Sequence, residues 1–154
     1  MSDHLPPLPA VRHRIEVPLS PEQAFDLFVH QISRWWPFRG HSCSGDARSQ
    51  VRFEPHVGGA VTEVAPDGTE HAWCRLTDWQ PPAHFAMTWH PAQSVERATR
   101  LAVRFVATGQ GCAVELQHDG FEVRGDQGPQ ARGEYDTGWA HVLGLYRAAA
   151  GGSA

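Results

Sequence analysis

Hydrophobic and polar residues alternate through most of the middle of the chain, and this period of two predicts a β-sheet. A first strand is expected over residues 11–18. The Asp67-Gly68 pair lies between two alternating runs and suits the positive φ angles of a tight hairpin turn. The later strands are predicted at residues 49–54, 60–65, 70–79, 84–90, 98–107 and 112–119.

Helical spacing flanks this strand-rich region on both sides. Ser20-Pro21-Glu22-Gln23 predicts a helix start, with a serine N-cap and proline in the first turn. One or two short helices follow and end at Trp35-Trp36-Pro37, and residues 130–150 predict a long helix with one apolar face. A sheet with one apolar face needs such a helix as its cover. The fold class is therefore predicted as α+β, with a curved antiparallel sheet of about seven strands.

The composition fits a single domain. The chain has 154 residues, 41% of them hydrophobic, and a formal net charge of −4. We assign residues 11–150 to one domain and residues 1–10 and 151–154 to flexible tails. No basic cluster is present, which argues against nucleic acid as a partner. No apolar run reaches the length of about 18 residues that a membrane span requires.

The cysteines and histidines give no sign of a metal centre. Cys43, Cys74 and Cys112 are odd in number and far apart, and the chain starts without a secretion signal, so reduced thiols in the cytoplasm are expected. The His41-Ser42-Cys43 run lacks the ligand spacings typical of metal sites. We therefore expect neither a metal nor a cofactor, and we expect the cysteines to be inert packing residues.

The hairpin turn also sets a register. In that register Val61 lies opposite Cys74, and Glu63 lies opposite Ala72, with all four side chains facing inward. By the same alternation the other inward-facing residues are predicted to be Val51, Phe53, Leu76, Phe85, Met87, Trp89, Leu101, Val103, Phe105, Val114, Leu116 and His118.

The tryptophans are numerous for a chain of this length, and four of them are predicted to lie on one or the other face of the sheet. Trp89 and Trp139 are expected inside the fold. Trp73 and Trp79 are expected on the outer face of the sheet, where exposed indoles would suit a homodimer contact.

Glu63 and His118 are polar residues on an otherwise apolar face. A buried carboxylate needs a partner, water or a function. Two explanations remain open: each side chain lies at the sheet rim or bonds to a backbone group, or both line a partly hydrated cavity. In the second case Tyr135 on the last helix is a third candidate catalytic group, and burial would raise the pKa of Glu63.

A set of short motifs, found in one order along the chain, carries a family resemblance. The motifs are Ser20-Pro21-Glu22-Gln23-Ala24-Phe25, Trp35-Trp36-Pro37, His41-Ser42, Phe53-Glu54-Pro55, Gly58-Gly59, Asp67-Gly68, Trp79-Gln80-Pro81-Pro82, Met87-Thr88-Trp89-His90-Pro91, His118-Asp119-Gly120-Phe121, Tyr135-Asp136-Thr137-Gly138-Trp139 and Val142-Leu143. Together they resemble the SRPBCC or START-like superfamily and, within it, the homologues of the heat-shock-protein ATPase activator. The matches run over residues 11–147, nearly the whole chain.

The resemblance implies a helix-grip fold with an apolar cavity between the sheet and the C-terminal helix. Cys74 departs from the glycine that relatives commonly have there, so its side chain would narrow the cavity or offer a thiol. The residues expected to line the cavity and bind a ligand are Phe53, Val61, Glu63, Cys74, Leu76, Phe85, Met87, Trp89, Val103, Leu116, His118, Tyr135, Trp139 and Val142.

Three functions are compatible with this resemblance. Binding of a small hydrophobic or aromatic molecule is the preferred interpretation. The first alternative is a cofactor-independent cyclase or dehydratase that acts on a polyketide-like or aromatic substrate, with Glu63 and His118 as acid and base. The second is an interaction module of the chaperone-activator type. The eukaryotic activator has a second domain for which this chain has no room, so we do not expect a chaperone partner.

Overall fold

One antiparallel sheet and one long helix dominate the computed structural model, which describes residues 8–90 and 98–151. The elements are β1 (Val11–Val17), α1 (Pro21–Val29), a short 3₁₀ helix (Ile32–Arg34), β2 (Gln50–Phe53), β3 (Ala60–Val64), β4 (Glu70–Gln80), β5 (His84–Trp89), β6 (Thr99–Thr108), β7 (Gly111–Asp119), a 3₁₀ segment (Phe121–Gln127) and α2 (Gly128–Ala149).

The strands form one sheet in the order β1-β7-β6-β5-β4-β3-β2, and α2 covers its inner face. The predicted α+β helix-grip architecture is confirmed. The predicted start of α1 is also correct, because Ser20 Oγ accepts a hydrogen bond from Gln23 N and Gln23 Oε1 accepts one from Ser20 N. In the described part of the chain, no helix combines the length and apolar character needed to cross a bilayer.

The register of the β3–β4 hairpin is partly as predicted. Val61 pairs with Cys74, but the pairing shifts by one residue directly afterwards, so Glu63 lies opposite His71. The predicted Glu63–Ala72 pair is therefore wrong, and Ala72 is exposed rather than inward-facing. The cause is a β-bulge, which inserts one extra residue into β4 and breaks the strict alternation of faces.

The two tryptophans predicted on the outer face lie inward instead. Trp73 is the extra residue of the bulge, and only 1% of it is exposed. A second bulge between Leu76 and Asp78 shifts the register of β4 again, and the ring of Trp79 packs 5.3 Å from that of Phe25 on α1. The predicted outer indole patch is therefore wrong, because each bulge moves the following side chain to the other face.

Aromatic rings fill much of the space between the sheet and α2. Tyr146 of α2 is fully buried, and its hydroxyl donates to the carbonyl oxygen of Ala24 in α1 at 2.8 Å. Phe28 packs its ring 5.1 Å from Tyr146 and 5.8 Å from both Phe85 and Phe105. This part of the predicted cavity is a packed aromatic core.

The segment between β7 and α2 is also helical. It forms 3₁₀ turns over Phe121–Gln127, interrupted at Gly125, whose φ of 56° favours glycine. Residues 9 and 10 of the predicted N-terminal tail are tied to α2, since Arg132 donates to their carbonyl oxygens. Residues 1–7 and 152–154 of the two predicted tails lie outside the described residues.

Candidate functional site

Glu63 is a fully buried carboxylate on β3 that holds the loop following the short 3₁₀ helix. Its Oε1 accepts hydrogen bonds from Cys43 N at 2.8 Å and from Trp73 Nε1 at 3.1 Å. Its Oε2 accepts one from Ser44 N at 3.1 Å and one from the Ser44 hydroxyl. Protein donors thus replace water around the charge, which is how a buried carboxylate is stabilised.

These hydrogen bonds decide the ionisation of Glu63. Burial would raise the pKa of Glu63, but the hydrogen bonds, the strongest from the Ser44 side chain, outweigh burial and lower the pKa. The predicted raised pKa is therefore wrong. An ionised carboxylate whose oxygens are occupied by four donors is poorly suited to protonating a substrate. Of the two explanations left open in the sequence analysis, hydrogen bonding to backbone groups is therefore the one that applies to Glu63.

His118 lies at the centre of a buried hydrogen-bond chain between α2 and the sheet. Trp139 Nε1 donates to His118 Nδ1 at 2.9 Å, and an indole nitrogen can only donate, so the imidazole proton is on Nε2. His118 Nε2 then donates to Thr99 Oγ1 at 2.6 Å, and Thr99 Oγ1 donates to the carbonyl oxygen of Trp89 at 3.1 Å. Each of the three donors in this chain of hydrogen bonds, on Trp139, His118 and Thr99, thus has an acceptor.

The chain of hydrogen bonds requires a neutral imidazole. Burial lowers the pKa of His118 to about 3; the charge of Asp119 opposes this shift, and the charge of Arg124 adds to it. Both ring nitrogens are occupied, and the residue is fully buried. In this state His118 stabilises the fold and has no free nitrogen to offer a ligand.

The three candidate catalytic groups do not meet in one site. The ring of Tyr135 packs 4.6 Å from that of His118. Glu63 is separated from both by the indoles of Trp73 and Trp89, whose centres are 5.9 Å apart. The predicted acid–base pair of Glu63 and His118 is therefore not formed, because aromatic side chains fill the space between them.

A cleft of about 450 Å³ opens between two parts of the chain. One is the loop that follows the 3₁₀ helix Ile32–Arg34 and leads to β2 at Gln50, and the other is the N-terminal half of α2. Its aromatic walls are Trp36, Trp89, Tyr135 and Trp139. Its polar lining includes His41, Ser42, Arg124 and Glu134. Small-molecule sites are typically concave and mostly apolar with a few polar groups, and this cleft has that character.

Four of the residues predicted to contact a ligand line this cleft: Trp89, Tyr135, Trp139 and Val142. The others lie behind its walls, because the interior that the sequence predicted as a hollow is packed. These residues are Phe53, Val61, Glu63, Cys74, Leu76, Phe85, Met87, Val103, Leu116 and His118.

Cys74 illustrates the difference between the predicted cavity and the observed core. It is fully buried, and its Sγ lies 3.0 Å from Met87 Sδ. Burial raises the pKa of the Cys74 thiol well above its ordinary value, so the reactive thiolate is disfavoured. The side chain fills core space, as expected for an inert cysteine, and does not narrow the cleft.

The loop at residues 38–47 forms one wall of the cleft, and its conformation could not be predicted from the sequence. Trp36 Nε1 donates to the carbonyl oxygen of His41 at 2.8 Å, and Glu63 holds the next residues of the same loop. The loop is therefore fixed at two points, which keeps its wall of the cleft in place. The Trp35-Trp36-Pro37 run predicted where the helix ends and the loop begins, but it does not determine the conformation of the loop.

His41 also lines the cleft and was not among the predicted site residues. Its ring lies 5.3 Å from that of His141 on α2. Burial, together with repulsion from His141, lowers the pKa of His41, so the neutral imidazole is favoured near neutral pH. Within residues 8–90 and 98–151, no third histidine, cysteine or carboxylate completes a group that could hold a metal ion.

The sheet, the covering helix and the aromatic cleft define a helix-grip protein. The chain belongs to the family described as Activator of Hsp90 ATPase homolog 1-like protein, whose sequence model matches residues 18–145. This confirms the family resemblance. No curated protein sequence matches the chain.

Solved structures share this fold over most of the chain. The anthrahydroquino-gamma-pyrone synthase Txn09, solved in complex with SUM, is 37% identical over 82% of this chain and 86% of its own, with a TM-score of 0.59. Protein MLL2253 from Mesorhizobium loti is 18% identical, covers 90% and 94% of the two chains, and has a TM-score of 0.67. The Aha1 dimer from Colwellia psychrerythraea is 15% identical, covers 91% and 94%, and has a TM-score of 0.64. The last two are similar in fold alone.

Proposed function

We propose that the protein binds a flat aromatic molecule of several rings in the cleft between the loop and α2. The observation that carries this proposal is the cleft itself, whose walls are three indoles and a phenol ring. Flat rings stack well on such walls, because offset and edge-on arrangements of aromatic rings are favourable. The volume of about 450 Å³ also falls in the range of small-molecule sites, roughly 300–1,000 Å³.

The comparison with Txn09 supports the same ligand class. Its name describes synthesis of a fused aromatic product, and it is 37% identical to this chain. The family description names a chaperone-ATPase activator, and the cleft favours ligand binding over that role. A homodimer remains a prediction, supported only by the dimeric relative from Colwellia psychrerythraea.

A glycine in the cleft allows a sharp test by blocking. Gly138 of α2 lines the cleft, and a Cβ built on it meets no atom within 4 Å. We expect Gly138→Leu to fill the cleft and weaken binding of anthraquinone-2-carboxylate by at least about tenfold, measured by isothermal titration calorimetry. Leucine favours the helix over glycine by about 1 kcal/mol, so the variant should remain folded.

Gly144 provides the matched control. It lies on the same helix, and a Cβ built on it also meets no atom within 4 Å, but it does not line the cleft. Gly144→Leu should bind the anthraquinone as the wild type does. Equal affinity in wild type, Gly138→Leu and Gly144→Leu would place the ligand elsewhere, and no binding by the wild type would contradict the proposal.

A second candidate function is ring closure of the bound molecule, which the synthase activity named for Txn09 favours. In the cleft His41 is the group suited to act as a base, since its lowered pKa keeps the imidazole neutral. It would take the proton of a phenolic hydroxyl, and the phenolate oxygen would attack a ketone carbon of the same molecule. The imidazolium would return the proton to the former ketone oxygen, which gives a cyclic hemiketal. Loss of this hydroxyl together with a proton from the adjacent CH₂ carbon releases water and forms the C=C bond of the new ring, so the cyclodehydration needs no oxidant or cofactor.

The pH dependence of such a reaction tests His41. With an ortho-hydroxyphenyl diketone as substrate and chromone absorbance as the readout, kcat/KM should fall as the pH drops through the pKa of His41, which lies below its ordinary value of 6.5. His41→Gln should lose most of the activity and this acid limb, and should still bind anthraquinone-2-carboxylate. Full activity in His41→Gln would exclude it as the base.

A further inference from the structure

Trp89 differs from the other two indoles of the cleft in its hydrogen bonding. Trp36 Nε1 donates to the carbonyl oxygen of His41, and Trp139 Nε1 donates to His118. Trp89 lies at the end of β5, lines the cleft and is 5% exposed, and its Nε1 is buried without an acceptor among the described residues.

An indole N–H without an acceptor is unusual in a folded interior. Buried polar groups nearly always have a partner, because removal from water without a new hydrogen bond is unfavourable. The surroundings of Trp89 hold its ring firmly, with Trp139 at 5.3 Å and Trp73 at 5.9 Å between ring centres. The ring is therefore held in place before any ligand arrives, and its donor is left for an acceptor that the described residues do not supply.

Building on the proposed function, we infer that the ligand carries an oxygen on its ring system and that this oxygen accepts a hydrogen bond from Trp89 Nε1. A quinone or pyrone carbonyl, or a phenolate, has the required acceptor. An aromatic hydrocarbon of the same shape would stack on the same walls and leave the donor unsatisfied, so the cleft discriminates against it.

The charge near the cleft favours the same chemistry. Arg124 lines the cleft and is 8% exposed, and its positive charge acts on the neighbouring His118. A guanidinium in a largely buried position attracts an oxygen that is negatively polarised. An oxygenated ring thus matches both the indole donor and the nearby positive charge.

Two ligands of equal charge and similar shape separate stacking from hydrogen bonding. Anthraquinone-2-carboxylate carries two ring carbonyl oxygens, and anthracene-2-carboxylate carries none. We expect wild-type protein to bind the quinone about tenfold more tightly in isothermal titration calorimetry, the value of one good hydrogen bond. Trp89→Phe keeps an aromatic ring and removes the donor. It should bind both ligands with nearly equal affinity, because any loss of stacking area affects the two alike.

Trp79→Phe is the matched control, because it removes an indole that packs against Phe25 and does not line the cleft. It should keep the preference for the quinone. Binding of both ligands by the wild type with equal affinity, or a preference unchanged in Trp89→Phe, would overturn the inference and leave the proposed function standing. If Trp89→Phe lost both ligands equally while remaining folded, Trp89 would act only as a wall, and the inference would be wrong. Failure of both ligands to bind wild-type protein would instead contradict the proposed function.

Discussion

Glu63→Gln is expected to lower the free energy of unfolding by about 3 kcal/mol. Four donors converge on the carboxylate: the backbone nitrogens of Cys43 and Ser44, the Ser44 hydroxyl and Trp73 Nε1. Glutamine replaces one acceptor oxygen with an amide NH₂, which is itself a donor, so at least one buried donor loses its partner. Denaturant unfolding at neutral pH, with the midpoint and slope both fitted, measures the loss.

Glu70→Gln is the control for this substitution. Glu70 lies on the adjacent strand, where its exposed side chain pairs with Arg52, and exposed ion pairs contribute at most about 1 kcal/mol. Glu70→Gln should leave the denaturant midpoint of unfolding almost unchanged. If Glu63→Gln changed this midpoint as little as Glu70→Gln does, the buried carboxylate would not anchor the loop. Because the loop forms a wall of the cleft, Glu63→Gln should also weaken ligand binding.

Acid should destabilise the protein through His118 at pH values where most carboxylates are still ionised. The pKa of His118 is lowered by burial from 6.5 to about 3, so between these values the unfolded chain binds a proton that the folded protein does not. The contribution of neutral His118 is fully present above pH 6.5 and is lost as the pH falls toward 3. Within this window the free energy of unfolding should fall by about 1.4 kcal/mol per pH unit from this residue.

His118→Gln isolates this contribution, since glutamine cannot be protonated. The stability difference between wild type and variant should shrink steadily as the pH is lowered from 6.5 to 4.5, because the carboxylates are common to both proteins. If the variant does not fold, imidazole nitrogen chemical shifts of wild-type His118 give an independent measure. They should report a neutral ring with the proton on Nε2 at pH 5. A constant stability difference, or a protonated ring at pH 5, would contradict the hydrogen-bond chain.

The sequence predicted the strands, the helices and most of the inward-facing residues because alternation and helical spacing report which face is apolar. It placed Trp73 and Trp79 on the wrong face, since a bulge adds one residue without a signal in composition. It identified Glu63 as buried. Its partners Cys43 and Ser44 lie 20 and 19 residues away in a loop whose conformation no periodic pattern determines.

The cleft was only half predictable for the same reason. Trp139 and Tyr135 follow from the apolar face of the last helix, whereas Trp36 and His41 reach the cleft through the loop. Alternation also gives the direction of a side chain and not the space left between opposing side chains. For this reason the sequence could not show that the interior, which was expected to be hollow, is packed with aromatic rings such as those of Phe28 and Phe85.

Gly138 of α2 lines the cleft but takes no part in the packing of the helix against the sheet. Gly138 faces open space, and the helix packs on the sheet through other residues, among them Leu143 and Tyr146. A side chain at this position would thus reduce the space in the cleft without entering the core. Under the proposed function, a larger side chain at Gly138 would change which molecules fit the cleft without displacing the helix from the sheet.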